Sequence, residues 1–441
     1  MTASFLKHPF MGQNALNECD DQAMVDAMLE FELALARAQE DCGFFPAGAA
    51  AQMRAQLEQG GFDLSAIARE TLNGGNAAIP FVKQGRSLLS EELQPYWHQG
   101  ATSQDVVDSA LMLLMVPRVR AIDALLQRCR SAAVALMEEH AGTPMVGRTL
   151  MQQALPITFG VKVAHWAVGL EQGRRRLMEV ELPVQFGGAV GVHSGWDEQG
   201  PGFMEIIARR LGLASPVMPW HTDRYPIHSL GTALDAIAGA SEKIALDVAL
   251  LTQTEVGEVA EPLAPGMGES SSMPHKRNPV RSALIRGAAR QVHGHAGILL
   301  NAAAQPLERG LGEWHSEWSP MVESALLVEG ALEQVAVLLE GLEVHPDVMQ
   351  RNLAATGGGI MAEPVARLLT PSLGSDTAKA ISAAAAETAR LESRPYRDVL
   401  GDYPEVSGHI SQEALRTACD PAAYTGSSRE QIQRTKAWLF G

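Results

Sequence analysis

The sequence predicts an all-α protein, a three-lobed subunit built round a central bundle of long helices. Aromatic residues make up only 5% of the 441 positions while Ala and Leu are abundant, a composition that favours helix over strand. Apolar residues recur at three- and four-residue spacing over residues 103–141, 156–181, 227–261, 280–303 and 315–342, stretches too long for strands. Their apolar positions spread over more than one face, so each helix must bury against several neighbours. The length exceeds one ordinary core, which divides the chain into an N-terminal helical domain at 1–102, a long-helix domain at 103–350 and a small helical domain at 351–441.

Taken in order, Met24, Met28, Phe31 and Leu35 mark an amphipathic helix over 20–39, ended by Cys42, Gly43 and Pro46. Two short helices follow, separated at Gly60 and Gly61. A turn at Asn73–Asn76 precedes another helix near 81–93. Thr102 or Ser103 is placed to cap the long helix that begins there, with Asp105 near its positive end and Pro117 a point of kinking. A helix N-terminus also binds carboxylates, so cap and anion site are compatible readings. The Gly-rich stretch 183–202 reads as a flexible connection. His221 and Arg224, just before the next long helix, are either carboxylate binders or polar residues at a helix entrance.

Between the helices ending near 261 and starting at Val280 lies Gly-Glu-Ser-Ser-Ser-Met-Pro-His-Lys-Arg-Asn-Pro, residues 268–279. Three serines and two prolines forbid regular structure there, so a polar loop is held between two rigid elements, a common place for chemistry. Lys276 offers a charge and Asn278 an amide, a pair suited to holding a carboxylate. No Gly-x-Ser-x-Gly elbow surrounds the serines, so a nucleophilic triad is not indicated. Beyond the loop, Glu308-Arg309-Gly-Leu-Gly-Glu313-Trp314-His315-Ser316-Glu317-Trp318 is rich in aromatic and ionisable groups, His315 being either pocket-lining or a hydrogen-bonded structural residue. After Gly357-Gly358-Gly359 the texture changes to short helices, including an Ala-rich one over 378–391.

The formal charge of −16 argues against a nucleic-acid groove, which needs a basic face. The apolar run 110–116 is too short to cross a bilayer and the N-terminus carries no signal-like run, so no membrane partner is expected. Cys19, Cys42, Cys129 and Cys419 show no metal-ligand spacing and are read as reduced thiols of a cytoplasmic protein, with no metal.

The order Ser-Ser-x-Met-Pro-x-Lys-x-Asn over 270–278 resembles the signature of the fumarase/aspartase superfamily. His98-x-Gly-x-Thr102-Ser103-x-Asp105 and Gly147-Arg148-Thr149-x-x-Gln152 resemble its first two conserved regions. The resemblance covers nearly the whole chain and implies a fumarase/aspartase-like helical fold and a homotetramer with shared active sites. It also implies that Ser270 moves the proton α to a substrate carboxylate, helped by Lys276. His98, Thr102, Ser103, Gln152, Arg224, Asn278 and His315 are then the expected substrate-binding residues. Two departures are paired. The usual histidine of the second region is Leu150, and the glutamate that would couple with it is Ala283.

Within the superfamily the chain most resembles bacterial 3-carboxy-cis,cis-muconate cycloisomerases, which act in protocatechuate degradation on a small tricarboxylate and need no cofactor. There a carboxylate attacks or leaves, and an anion needs neither base nor acid, which suits the missing couple. The rival readings are an adenylosuccinate lyase-like C–N lyase, for which the missing couple is a difficulty, and a catalytically silent relative. Glu269 stands where the signature usually has glycine, adding bulk and negative charge beside Ser270.

Overall fold

The computed structural model describes residues 5–6, 9–263, 268, 273 and 275–441, with Asn14 and Asp197 as backbone alone. In chain order it forms α1 (Asp21–Asp41), α2 (Ala49–Gly60), α3 (Leu64–Gly74), α4 (Ala78–Leu88) and α5 (Ser103–Glu139). Strands β1 (Pro144–Thr149) and β2 (Gln152–Thr158) follow, then α6 (Phe159–Met178), α7 (Gly200–Leu211) and α8 (Tyr225–Leu251). The remainder holds β3 (Val259–Ala260), α9 (Val280–Asn301), α10 (Glu313–Glu340), β4 (Glu343–Val344), α11 (Pro346–Ala354), α12 (Ala362–Leu373), α13 (Ser375–Glu392) and shorter helices to Phe440. The mainly helical architecture and the five long helices agree with the periodicity. α5 runs for 37 residues with Pro117 inside it.

Two compact units emerge. The first comprises residues 1–126, 172–242 and 284–333. Its α1 starts where the Asp20 carboxylate accepts from the Ala23 N–H, filling one of the orphan donors of the first turn. Met28, Phe31 and Leu35 of α1, Met112 and Met115 of α5, Leu234 and Ile237 of α8 and Met321 of α10 are all buried. Each such side chain contributes about 1.5–3 kcal/mol over leaving it in water. The first part of the stretch expected to be a flexible connection is instead built in here: residues 183–188 are buried, while most of 189–195 is exposed. Gln185 exchanges hydrogen bonds with the Ser109 hydroxyl, and Trp220 N–H donates to the Gln185 side chain. Glycines signal special backbone angles as well as mobility, and here they signal the former.

The second unit comprises residues 127–171, 243–283 and 334–441. Its β1–β2 hairpin occupies the Gly-Arg-Thr region, with Thr149 paired to Gln152 and a two-residue tip, Leu150 and Met151, at φ 48° and 64°. Two left-handed residues are what the right-handed twist of a hairpin demands, but glycine or asparagine usually supplies them. The helix expected to continue to Glu261 stops at Leu251. Gly257 at φ 61° turns the chain, and Glu258 swings its buried carboxylate onto Arg148 at 2.7 and 2.9 Å. Asn352 of α11 donates to the same carboxylate at 2.8 Å, so three stretches distant in sequence meet there. A further core joins Val365, Leu369, Ile381, Ala385, Tyr396 and Leu400 towards the C-terminus.

Candidate active site

In the first unit the site candidates gather at the start of α5. Asp105, fully buried, accepts from the backbone N–H groups of Thr102 (2.9 Å), Gly187 (3.0 Å) and Gly188 (2.9 Å) and from His221 Nε2 (2.7 Å). Four donors fill the acceptor sites of a carboxylate, so Asp105 is ionised and orders the whole approach to the helix. Gly100 at φ 79° packs its Cα against Trp196, leaving no room for a side chain, which explains the glycine of the His-x-Gly-x-Thr-Ser order.

His98, itself left-handed at φ 57°, sets Nδ1 2.5 Å from Glu32. Burial pushes its pKa down, but the Glu32 charge and hydrogen bond, with Asp105 adding, outweigh this and hold it above the usual histidine value. Ser103 Oγ accepts weakly from Asn76 at 3.4 Å. His315 is exposed on α10, its ring between those of Trp314 and Trp318 and facing Gly75 of the same turn as Asn76. Thus His98, Thr102, Ser103 and His315 belong to one neighbourhood.

Arg309 joins them, a residue within the motif at 308–318 to which the sequence assigns no role. Its guanidinium donates to Thr102 Oγ1 at 3.3 Å and to the Ala189 carbonyl at 2.8 Å, both uncharged acceptors. A cation at a helix N-terminus with neutral partners concentrates positive potential where an anion would sit. The sequence signal was present in Glu308-Arg309-Gly, but nothing local ties it to a residue two hundred positions earlier.

Arg224 must be corrected. Rather than waiting for a substrate carboxylate, its guanidinium is 1% exposed and spends all five N–H groups internally. They go to Asp108 at 2.8 and 3.0 Å, to Glu317 at 2.7–3.2 Å and to the Trp220 carbonyl. Burial, partly offset by Arg224 and reinforced by Asp108, raises the pKa of Glu317. The aromatic motif splits accordingly: Trp314 and Glu317 turn inward, Trp314 Nε1 donating to Asp108 at 2.9 Å, while His315 faces out.

In the second unit, Lys276 and Asn278 line a cavity of about 590 Å³ together with Thr252, Thr254, His275 and His345. Lys276 is exposed, and no described residue pairs with its ammonium group. Arg277 between them is clamped, donating to Glu343 at 2.5 and 2.9 Å and to the Glu261 carbonyl at 2.5 Å. The Glu261 carboxylate caps α9 through the N–H groups of Arg281 and Ser282. Ser270 and Glu269 lie outside the described residues. Gln152 is exposed beside the hairpin tip, Leu150 is 97% exposed on it, and Ala283 is exposed in the first turn of α9. Leu150 therefore packs against little of its own chain among the described residues. No described helix is long and apolar enough to cross a membrane.

Long helices, an anion-seeking helix start and a lysine–asparagine loop define a helical enzyme of the lyase type. Residues 16–294 match the family described as Lyase, and the chain belongs to that family, of the fumarase/aspartase superfamily. It is 40% identical to the 3-carboxy-cis,cis-muconate cycloisomerase of Bradyrhizobium diazoefficiens, over 94% of each chain. It is also 40% identical to the nitrosuccinate lyase of Streptomyces davaonensis, over 94% of this chain and 90% of that one. The crystal structure of the 3-carboxy-cis,cis-muconate lactonizing enzyme from Pseudomonas putida superimposes with a TM-score of 0.92 at 38% identity, covering 98% of both chains.

Proposed function

We propose that the protein is a 3-carboxy-cis,cis-muconate cycloisomerase, interconverting that tricarboxylate and carboxymuconolactone. The observation that carries the reading is the paired replacement of the acid/base couple, Leu150 and Ala283, in a chain that keeps Ser270, Lys276 and Asn278. During lactonisation one substrate carboxylate attacks an alkene carbon, and a proton is added at the neighbouring carbon α to another carboxylate. The attacking oxygen is already an anion, so no base is required; in reverse the carboxylate leaves without an acid. Ser270 carries the proton at the α carbon. Its oxyanion needs nearby N–H groups, Lys276 and exclusion of water to exist at neutral pH. Asn278 and Gln152 hold carboxylate oxygens, as do Thr102, Ser103, His98 and His315 at the start of α5.

The working form is a cytoplasmic homotetramer whose sites draw on several subunits. Thr102, Gln152 and Ser270 belong to regions at the ends of different long helices, and a 30-residue helix spans about 45 Å. Mixing Ser270→Ala and Gln152→Ala proteins, then dissociating and reassociating them, is expected to restore activity in hybrids. No recovery despite subunit exchange overturns shared sites.

The direct test is loss of the ultraviolet absorption of 3-carboxymuconate on adding purified protein, with adenylosuccinate run in parallel. One relative sharpens a second reading. That relative is named a nitrosuccinate lyase; nitrite, like a carboxylate, is a weakly basic anion that can leave without protonation, so loss of nitrite from a nitrosuccinate would suit the missing couple equally well. Nitrite release without consumption of 3-carboxymuconate would replace the first reading by the second.

A further inference from the structure

Resting on the tricarboxylate reading above, we propose that His221 is a further substrate-recognition residue, its Nδ1 donating to a carboxylate seated against the Gly187–Gly191 turn at the start of α5. The ring is 4% exposed and has one nitrogen fixed: Nε2 lies 2.7 Å from Asp105 Oδ1. Because ionised Asp105 can only accept, Nε2 must donate. That leaves Nδ1, which is buried and has no partner among the described residues. An orphaned buried polar atom costs about 1–3 kcal/mol, a penalty that a group arriving from outside removes.

One glycine keeps the space beside it open. A Cβ on Gly191, at φ +79°, would meet no described atom within 4 Å except Nδ1 itself, at 3.5 Å, and a longer side chain there would fill the approach. Gly187 serves packing instead, since a Cβ on it would fall 2.7 Å from Pro219 and 3.0 Å from the ring carbon Cε1. The surroundings favour an anion, since the first N–H groups of α5 point outward from its N-terminus and Arg309 on Thr102 has uncharged partners. The titratable groups that the ring meets are Asp105 of α5 and His193 of the turn, and His193 Nε2 is already given to the Phe186 carbonyl at 2.9 Å. When a carboxylate arrives, the ring takes a proton from solvent, Nδ1–H donates to it, and the proton returns to solvent on release. The same pair of nitrogens separates positioning from recognition: Asp105 holds the ring, and the ring holds the ligand.

The test uses the full-length protein with ¹⁵N-labelled imidazole rings, titrated with tricarballylate, an unreactive tricarboxylate. The Nδ1 resonance of the histidine whose Nε2–H is held by Asp105 is expected to move from the unprotonated to the protonated position. His221→Gln retains a donor for Asp105 but lacks Nδ1. Loss of a charge-assisted hydrogen bond worth about 1.5–3 kcal/mol should raise KM about ten- to a hundredfold with kcat little changed and the melting temperature preserved. An Nδ1 signal unmoved at saturating tricarballylate overturns the proposal even if the Gln variant fails to fold, as does an unchanged KM in a folded variant. Turnover of 3-carboxymuconate with a silent Nδ1 sinks this inference alone. A responsive Nδ1 without turnover sinks the reaction assignment and leaves the carboxylate site standing.

Discussion

Two arginine-and-lysine settings in this molecule do opposite things with charge. Around Arg224 every N–H is answered by Asp108, Glu317 or a carbonyl, and the cluster is buried. Around Lys276 the ammonium is exposed, unpaired by any described residue, and held beside a cavity by a clamp on its neighbour Arg277. A saturated cation has nothing left to offer a ligand, whereas an unsaturated one on a tethered loop does. The first setting is scaffold, and the second is available for chemistry.

The sharpest way to break this contrast is to remove a group from each side. Ser270→Ala should lower turnover about 10²–10⁴-fold, the usual loss for a proton-transfer group, with the far-ultraviolet circular dichroism unchanged. Near-normal turnover would move the proton to another group, His315 first. Arg224→Met should instead attack folding. Leaving Asp108 and Glu317 buried together without their cation costs about 3–5 kcal/mol, read as a fall in the urea midpoint. Lys276→Met should stay within about 0.5 kcal/mol of the wild type in the same titration, as exposed substitutions do, while weakening substrate binding. A large loss of stability at Lys276, or none at Arg224, would reverse the assignment of the two settings.

How far the sequence carries one depends on the range of the interaction. The long helices were legible because periodicity is local; Met28, Phe31 and Leu35 lie on one buried face as their spacing requires. The hairpin at 144–158 was not legible, since Leu150 and Met151 are poor residues for its left-handed tip and give no turn signal. The Gly-rich stretch 183–202 reads as a flexible connection because the hydrogen bonds that fix its residues 185–188 come from Asp105 and Ser109, far away in the chain. His221 and Arg224 were indistinguishable from sequence, being neighbours of similar chemistry. Only the acids packed against each separate the saturated guanidinium from the half-used imidazole.

A smaller effect concerns His98. Its folded pKa is raised above the unfolded value by Glu32 despite burial, so its contribution to stability is fully present below the unfolded pKa and is lost as pH rises through the folded one. Histidine NMR should place its titration above that of an unperturbed histidine, and Glu32→Gln should bring it down. A midpoint at or below the ordinary value in the wild type would show that desolvation wins.

The smallest expected effect is the most specific to the chemistry. Leu150 occupies a left-handed position, which costs a branched apolar residue more than it costs histidine, one of the residue types enriched there. Leu150→His should therefore leave the hairpin intact, and because Leu150 is 97% exposed on its own chain, the substitution buries no polar group within it. A change in rate would then report on catalysis rather than on folding. If the departing group is a carboxylate, an added imidazole has no proton to supply that the reaction needs, and lactonisation should not accelerate. The measurement is kcat for 3-carboxymuconate in the variant against the wild type, in both directions. A clear increase would mean that the leaving or attacking oxygen does require help, and that the absence of histidine here is a handicap of this chain rather than a mark of its reaction.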